Sequence, residues 1–307
     1  GRIQGDSALT LTLLNALTNQ TNGVILSQDA LSITAPSLMN DGTIQGNGKT
    51  TLSAATQARN DGKILSGGGL VFTTPDYSGS GWLQATNLVL NVAKFASSGT
   101  VLAANQATLT GDSLTNSGTF QAAQLNVNAQ FVNNGGTLLG NQGLSINAST
   151  INNENGKLFS GGDLLAETVS LSGAGQIVAL GNLALKLVNS WTSQGVVASN
   201  KQLSVSTRGD ITNNATLQGD GITLDAAGKL TNNGQLTAGG GTASLSGSQI
   251  AMNASGTLQA GGDVSLASRG SIILDGFTGT AGNLLLNATG AIVNTALLYA
   301  GNNLALY

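Results

Sequence analysis

The sequence predicts an all-β solenoid, in which short parallel strands wind into coils that stack on one another. Three observations predict it. A phrase of about twenty residues recurs along the chain, apolar residues alternate inside each copy, and helical spacing never persists for three turns.

The phrase opens on an apolar residue, followed by Asn and then Gly. Residues 38–44 (LMNDGTI), 58–64 (ARNDGKI), 114–120 (LTNSGTF) and 230–236 (LTNNGQL) carry it in register with one another. Residues 131–138 (FVNNGGTL) and 151–158 (INNENGKL) carry one extra residue, residues 211–217 (ITNNATL) put Ala215 in the Gly place, and residues 17–24 (LTNQTNGV) fit more loosely. A second phrase follows, a small or Gly-rich turn and then alternating apolar residues, as in residues 140–146 (GNQGLSI), 219–224 (GDGITL), 261–266 (GGDVSL) and 301–306 (GNNLAL).

Leu125/Val127, Leu144/Ile146, Leu203/Val205, Ile222/Leu224, Val264/Leu266 and Leu304/Leu306 give the two-residue period of a strand with one buried face. Units start near residues 17, 38, 58, 77, 95, 114, 131, 151, 171, 191, 211, 230, 250, 272 and 292. None is long enough to bury its own apolar face, so each must stack on its neighbours. At a strand spacing of ~4.8 Å, about fifteen coils give a rod roughly 70 Å long. Right-handed winding is the default expectation. A leucine-rich horseshoe shares the period but needs helical turns where this chain has Gly, Asn and Thr. The whole of residues 1–307 therefore reads as one continuous repeat domain, with residues 73–82 as an irregular loop.

Composition narrows the chemistry. Hydrophobic residues make up 40% of the 307, enough for a core, while charged residues are only 8% and the net charge is −3. With no basic cluster, the electrostatic attraction that nucleic-acid binding depends on is missing. No stretch approaches about 18 consecutive apolar residues, so no membrane span is expected. The absence of Cys and His removes disulfides, thiolate chemistry, imidazole catalysis and the commonest zinc sites. No cofactor is expected.

The recurring polar residues read first as structure. Asn19, Asn40, Asn60, Asn116, Asn133, Asn152, Asn213 and Asn232 hold one place in the phrase, and stacking would align their amides in a column at strand spacing. Gly42, Gly62, Gly118 and Gly234 recur at a turn, where a positive φ is the economical explanation. The clusters at Gly67 to Gly69, Gly161–Gly162, Gly239 to Gly241 and Gly261–Gly262 resemble phosphate cradles only in isolation, because no helix follows them. Asp41 and Asp61 occupy equivalent places in adjacent coils, where they cap turns or share a cation. Asp210, Asp220 and Asp225 form the densest acidic group, on different parts of the coil. Asn-x-Ser/Thr triplets at Asn19, Asn147, Asn214, Asn253 and Asn287 match a pattern short enough to arise by chance. Trp191 falls on a unit start and reads as core. The candidate binding residues are Phe72, Tyr77 and Trp82, three aromatics around Pro75 where the phrase breaks; grouped on a bulge they could grip a sugar or a protein.

The phrases LTNSGTFQAA, LTNNGQLTAGG and NASGTLQAGGDVSLAS resemble the repeats of filamentous haemagglutinin and the related contact-dependent growth inhibition exoproteins. The resemblance covers nearly the whole chain. It implies a right-handed parallel β-helix, exported through an outer-membrane two-partner secretion transporter and displayed at the surface of a Gram-negative bacterium. Motifs of the secretion domain that precedes such repeats are not found, so an internal segment is expected, whose end coils need flanking sequence or neighbours to cover them. The expected role is a non-enzymatic stalk that holds a binding tip or toxin away from the cell, with a target-cell receptor engaged by other regions. A binding module on one face and a carbohydrate-active enzyme are the alternatives. The residues do not separate the host-adhesin branch from the growth-inhibition branch.

Overall fold

A computed structural model describes residues 1–307 and is all-β, without a helix. Residues 1–149 and 150–307 form two compact units. Each is a β-solenoid of parallel strands in which every strand pairs with its counterpart about twenty residues away.

In the first unit a coil has three inward-facing segments. The coil that begins at Trp82–Ala85 continues through Asn87–Ser97, and buries Leu83, Ala85, Leu88, Leu90, Val92, Phe95 and Ser97 at alternate positions. Longer strands such as Leu31–Asn40 and Thr50–Asn60 bend within their length, so one strand supplies two faces. Pairing slips by one residue or more at those bends, between Ala35 and Ser37 and between Ser53 and Ala58. Both prolines fall there, Pro36 in Leu31–Asn40 and Pro75 in Gly69–Gly79, as expected of a residue that cannot donate to a ladder.

In the second unit the three segments are separate strands, for example Thr216–Gly219, Gly221–Ala226 and Lys229–Asn232. Leu217, Ile222, Leu224 and Leu230 from that coil are buried, over and under Leu203 and Val205 of one neighbour and Leu236 and Leu245 of the other. Trp191 is buried and pairs in register with Ile211. Each such Leu or Ile contributes roughly 1.5–3 kcal/mol by burial, so alternation repeated through the stack is the main driving force.

Residues 73–82 are not an irregular loop. Gly69–Gly79 is one bent strand, paired with Asn87–Ser97 from Gly69↔Asn87 to Gly79↔Ser97. The break in the sequence phrase reflects a change of side chains on an unbroken backbone.

The recurring glycines also have a different cause from the one the sequence suggests. A positive φ occurs at Gly173 (φ 99°) and Asn155 (φ 59°), not at Gly42, Gly62, Gly118 or Gly234. What these glycines share is a close approach. A Cβ at Gly62 would lie 2.1 Å from the Gly42 carbonyl oxygen, at Gly81 2.2 Å from that of Gly62, at Gly99 2.1 Å from that of Gly81, and at Gly118 2.1 Å from that of Gly99. The same carbonyls accept the next coil's N–H groups, Lys63 to Gly42 at 2.8 Å and Thr119 to Gly99 at 2.9 Å. Glycine recurs because a Cβ at these corners would press on the carbonyl of the preceding one. At Ala215 the place does hold a methyl group, and a Cβ at Gly234 would meet its carbonyl at 2.1 Å.

Gly99→Ala should therefore lower the urea midpoint, by a destabilisation of about 1–3 kcal/mol from overpacking against backbone. Gly69→Ala is the matched control, because a Cβ there meets only the Asn87 carbonyl at 3.8 Å; it should leave the midpoint unchanged or raise it slightly. Equal losses in the two variants would show that corner contact is not what selects glycine.

Candidate functional site

Alternation puts an apolar residue and the Asn two places later on the same face, so Leu17 and Asn19, Leu38 and Asn40, and Leu114 and Asn116 all point inward. Asn19 Nδ2 donates to Asn40 Oδ1 at 2.8 Å, and Asn40 Nδ2 to Asn60 Oδ1 at 2.7 Å. The same amide groups also donate to corner carbonyls, as from Asn40 Nδ2 to Lys63 O at 3.1 Å. Asn213 Nδ2 repeats the pattern onto Asn232 Oδ1 at 2.8 Å.

Two residues of the expected column lie elsewhere. Asn133 is exposed, and Asn134 takes the inward place, accepting from Asn116 Nδ2 at 2.8 Å. Asn152 is half-buried and accepts from the Glu154 N–H, while Asn153 is buried and donates to Gln176 O at 3.1 Å. The cause at the first is register. Val132 pairs with Leu114, so Phe131 is 51% exposed, and a shift of one residue exchanges faces for everything that follows.

The candidate aromatics do not form a surface platform. Phe72 and Tyr77 are buried at 0% and 1% exposure, and only Trp82 reaches the surface, at 39%, with its Nε1–H on Gln84 Oε1 at 2.8 Å. Phe72, Tyr77, Phe95 and Phe120 instead form an internal aromatic stack. Phe72 meets Tyr77 edge-on with centroids 5.6 Å apart, Tyr77 lies parallel to Phe95 at 4.6 Å, and Phe95 is 6.1 Å from Phe120. In these coils the column place is held by Gly79 and Ser97, each in register with the next residue of the column. Burial pushes the pKa of the Tyr77 phenol up to about 12, against a smaller opposing effect of the Asn60 side chain. Further along, Asn116 Oδ1 faces Ser97 rather than an amide and is buried without a partner.

Several acidic residues cap the neighbouring coil. Asp61 Oδ1 accepts from the N–H and hydroxyl of Ser80 at 2.9 and 2.8 Å, and its carboxylate contacts Arg59, which lies 3.9 Å from Asp41. The Ser80 N–H and then its hydroxyl hold the Asp61 carboxyl below the usual range; burial opposes them, and Arg59 adds smaller lowering effects. Asp163 and Asp263 accept the N–H groups of Asn182 and Asn283, each at 2.7 Å. Asp210, Asp220 and Asp225 accept separately from Lys229 N, Gly240 N and Ser246 Oγ, so they do not converge. No three acidic side chains come together in a way that would hold a metal ion. Turn capping was the expectation at Asp41 and Asp61 and holds at Asp61; that Asp163 and Asp263 do the same was missed, although the signal was present, an acid at a corner followed about twenty residues later by the corner residue it caps.

Beside Arg59 and Asp61 an open groove of about 370 Å³ runs over Ser78, Ser80, Ala96 and Ser98, where the outward side chains are small.

Comparison with known proteins agrees with this architecture. The haemagglutinin repeat profile matches residues 2–73, 78–130, 121–186, 192–234 and 235–306. The chain belongs to the haemagglutinin repeat family. Among curated relatives of this haemagglutinin-repeat chain, "tRNA nuclease CdiA" of Escherichia coli (strain STEC_O31) is 76% identical over 307 residues, all of this chain and 9% of the relative. "16S rRNA endonuclease CdiA" of Enterobacter cloacae subsp. cloacae is 49% identical over 295 residues, 95% of this chain and 9% of the relative. "Deoxyribonuclease CdiA" of Dickeya dadantii (strain 3937) is 38% identical over 310 residues, 100% of this chain and again 9% of the relative. The chain thus spans about a tenth of the length of these proteins. No solved structure matches it.

Two outcomes follow for the haemagglutinin-repeat core. Asn40→Ala strands a donor of Asn19 and an acceptor of Asn60, and should destabilise by about 2–4 kcal/mol in thermal or urea unfolding. Less than about 0.5 kcal/mol would mean that water replaces the amide. Tyr77→Phe separates ring from hydroxyl. The phenol pKa is higher folded than unfolded, so its share of stability is present below pH 10 and is lost as pH rises through about 12. The difference in stability between wild type and Tyr77→Phe should therefore be constant at neutral pH and shift against wild type above pH 10. Parallel curves to pH 12 would place the phenol in water.

Proposed function

We propose that this chain is a non-enzymatic spacer in the stalk of a large secreted exoprotein, an internal repeat region that separates a binding tip or toxin from the producing cell. The carrying observation is how its polar side chains are used. Asn amides hydrogen-bond along columns, acids cap the neighbouring coil, and corner glycines admit close stacking, so the recurrent chemistry is spent between coils.

The relatives support the same reading. Three of them bear the names of nucleases with three different targets, tRNA, 16S rRNA and DNA, yet each contains a segment similar to this one. A segment common to all three is poorly suited to choosing among those targets. The nuclease named in each relative then belongs to some part of the remaining nine-tenths of its length. The shared name CdiA favours the growth-inhibition branch over the host-adhesin branch. With that branch come export through an outer-membrane two-partner secretion transporter, display on a Gram-negative cell, and a target-cell receptor engaged by regions outside this segment.

Deletion in register provides the test. Removing residues 211–229 brings Leu230 to the place of Ile211, because those two residues are paired in adjacent coils. Made in a full-length relative, this deletion should preserve surface display and growth inhibition. Removing half as many residues should abolish display, because it throws strands out of register. A whole-coil deletion that is displayed but no longer inhibits would overturn the spacer reading, as would cleavage of tRNA, 16S rRNA or DNA by the purified chain.

A further inference from the structure

Asn155 is the one residue other than glycine with a positive φ, 59°, and the stacking of coils does not account for it. It precedes Gly156 at a corner of the second unit, just before the strand Lys157–Ser160. An Asn–Gly pair carries chemistry of its own. The glycine nitrogen can attack the Asn side-chain carbonyl carbon, because no side chain on the glycine obstructs the approach. Whether it does so in a folded chain depends on how firmly the peptide between the two residues is held.

Asn–Gly pairs begin at Asn22, Asn47, Asn134, Asn155 and Asn233, and all but one are held. The Gly23 N–H donates to Gln20 O at 2.6 Å, Gly48 N–H to Asp29 O at 2.9 Å and Gly135 N–H to Asn116 O at 2.8 Å. The Asn233 amide bonds Asn214 on one side and Asn253 on the other, and its carbonyl accepts from Ser255 Oγ at 2.9 Å. Asp–Gly pairs, which undergo the related reaction, are held as well, since Gly42, Gly62, Gly221 and Gly276 each donate the N–H to a carbonyl of the preceding coil. At Asn155 the side-chain amide, the carbonyl and the Gly156 N–H all lack a hydrogen bond within the chain, and the residue is exposed. Rotation of this peptide breaks no hydrogen bond, and it releases Asn155 from a left-handed conformation that is costly outside glycine.

We infer that Asn155 is a site of spontaneous deamidation, and that its isoaspartyl product loosens the corner at Gln176. Gly156 N bonds to Asn155 Cγ as the bond from Cγ to Nδ2 breaks, and the displaced amide nitrogen takes up the Gly156 proton and leaves as ammonia. Water then opens the resulting succinimide. Attack at Cγ gives aspartate, and attack at the main-chain carbonyl gives isoaspartate, whose chain runs through Cγ and is one carbon longer. The corner has no slack for that carbon. The Gly156 carbonyl accepts from Gln176 N at 2.9 Å and would lie 2.4 Å from a Cβ at Gly175. The inference does not depend on the spacer reading, because it concerns the chemistry of one corner.

The test is to age the folded 307-residue chain in neutral buffer and to follow each Asn–Gly pair by peptide mapping with fragmentation that separates aspartate from isoaspartate. Conversion at Asn155 should be about tenfold or more faster than at Asn47, Asn134 and Asn233, whose reactions must first break hydrogen bonds. In the urea-unfolded chain the four rates should fall within about threefold of one another, because the fold no longer distinguishes them. Hydrogen exchange at the Gln176 amide should quicken as isoaspartate accumulates. Asn155→Gly keeps a residue suited to the positive φ and removes the amide, so its Gln176 protection should survive ageing. Conversion at Asn155 no faster than at Asn47, Asn134 or Asn233 in the folded chain would overturn the assignment. So would conversion at Asn155 confined to the unfolded chain, or equal loss of Gln176 protection in aged wild type and aged Asn155→Gly.

Discussion

The structure depends on one constraint, that each coil must lie on the last at the spacing of a parallel β-ladder. Backbone hydrogen bonding fixes that spacing, and it applies to corners as strictly as to strands. At the corners it brings the carbonyl of Gly42 so near the α-carbon of Gly62 that a side chain cannot enter. Inside, it brings the amide of Asn40 within 2.7 Å of that of Asn60. A residue is therefore chosen less for its own coil than for what lies one coil above and below. The sequence period is the record of that choice.

The same constraint explains why so few charges suffice. Stacking like on like at strand spacing would repel if the repeated residue were Asp or Lys, whereas Asn carries both donor and acceptor and satisfies its own copy. Where acids do occur, as at Asp61, Asp163 and Asp263, the next coil offers an N–H or hydroxyl instead of another acid. Arg59 lies between the carboxylates of Asp41 and Asp61, which stand in adjacent coils. Turn capping accounts for Asp61, and a shared cation is not needed.

Most of the architecture was legible in the sequence because a two-residue period inside a period of about twenty admits few other folds. What failed to be legible depended on a single residue of register or on a neighbour far away in the chain. In FVNN, both Phe131/Asn133 and Val132/Asn134 satisfy the phrase, and only the pairing of Val132 with Leu114 selects the second. Gly62 reads locally as a turn residue, but what it meets is Gly42, one coil away. Tyr77 stands in the least repetitive stretch and invites a surface role. Its burial depends on Phe95 in the next coil offering a ring face, which local sequence does not display.

That exchange at Tyr77 shows how the stack tolerates exceptions. The amide column loses its side chain at Gly79, and aromatic packing takes over through Tyr77, Phe95 and Phe120. The polar accounting does not close at once, since Asn116 Oδ1 is left without a donor two coils later. One coil can therefore depart from the phrase if its neighbours are fitted to the departure, and the defect is confined to the coils that touch it. On the outer surface the constraint is weaker, because side chains there meet solvent. The column Gln4, Leu26, Gln45, Leu65, Gln84, Leu102 and Gln121 alternates amide and aliphatic residues through successive coils without disturbing the core. Inward positions are thus tied to their neighbours while outward positions remain open to change. Outward substitutions alone can therefore reshape the surface of such a scaffold, as at Gly279, where the Phe277 ring lies over the place of a column side chain while the strands beneath it stay in register.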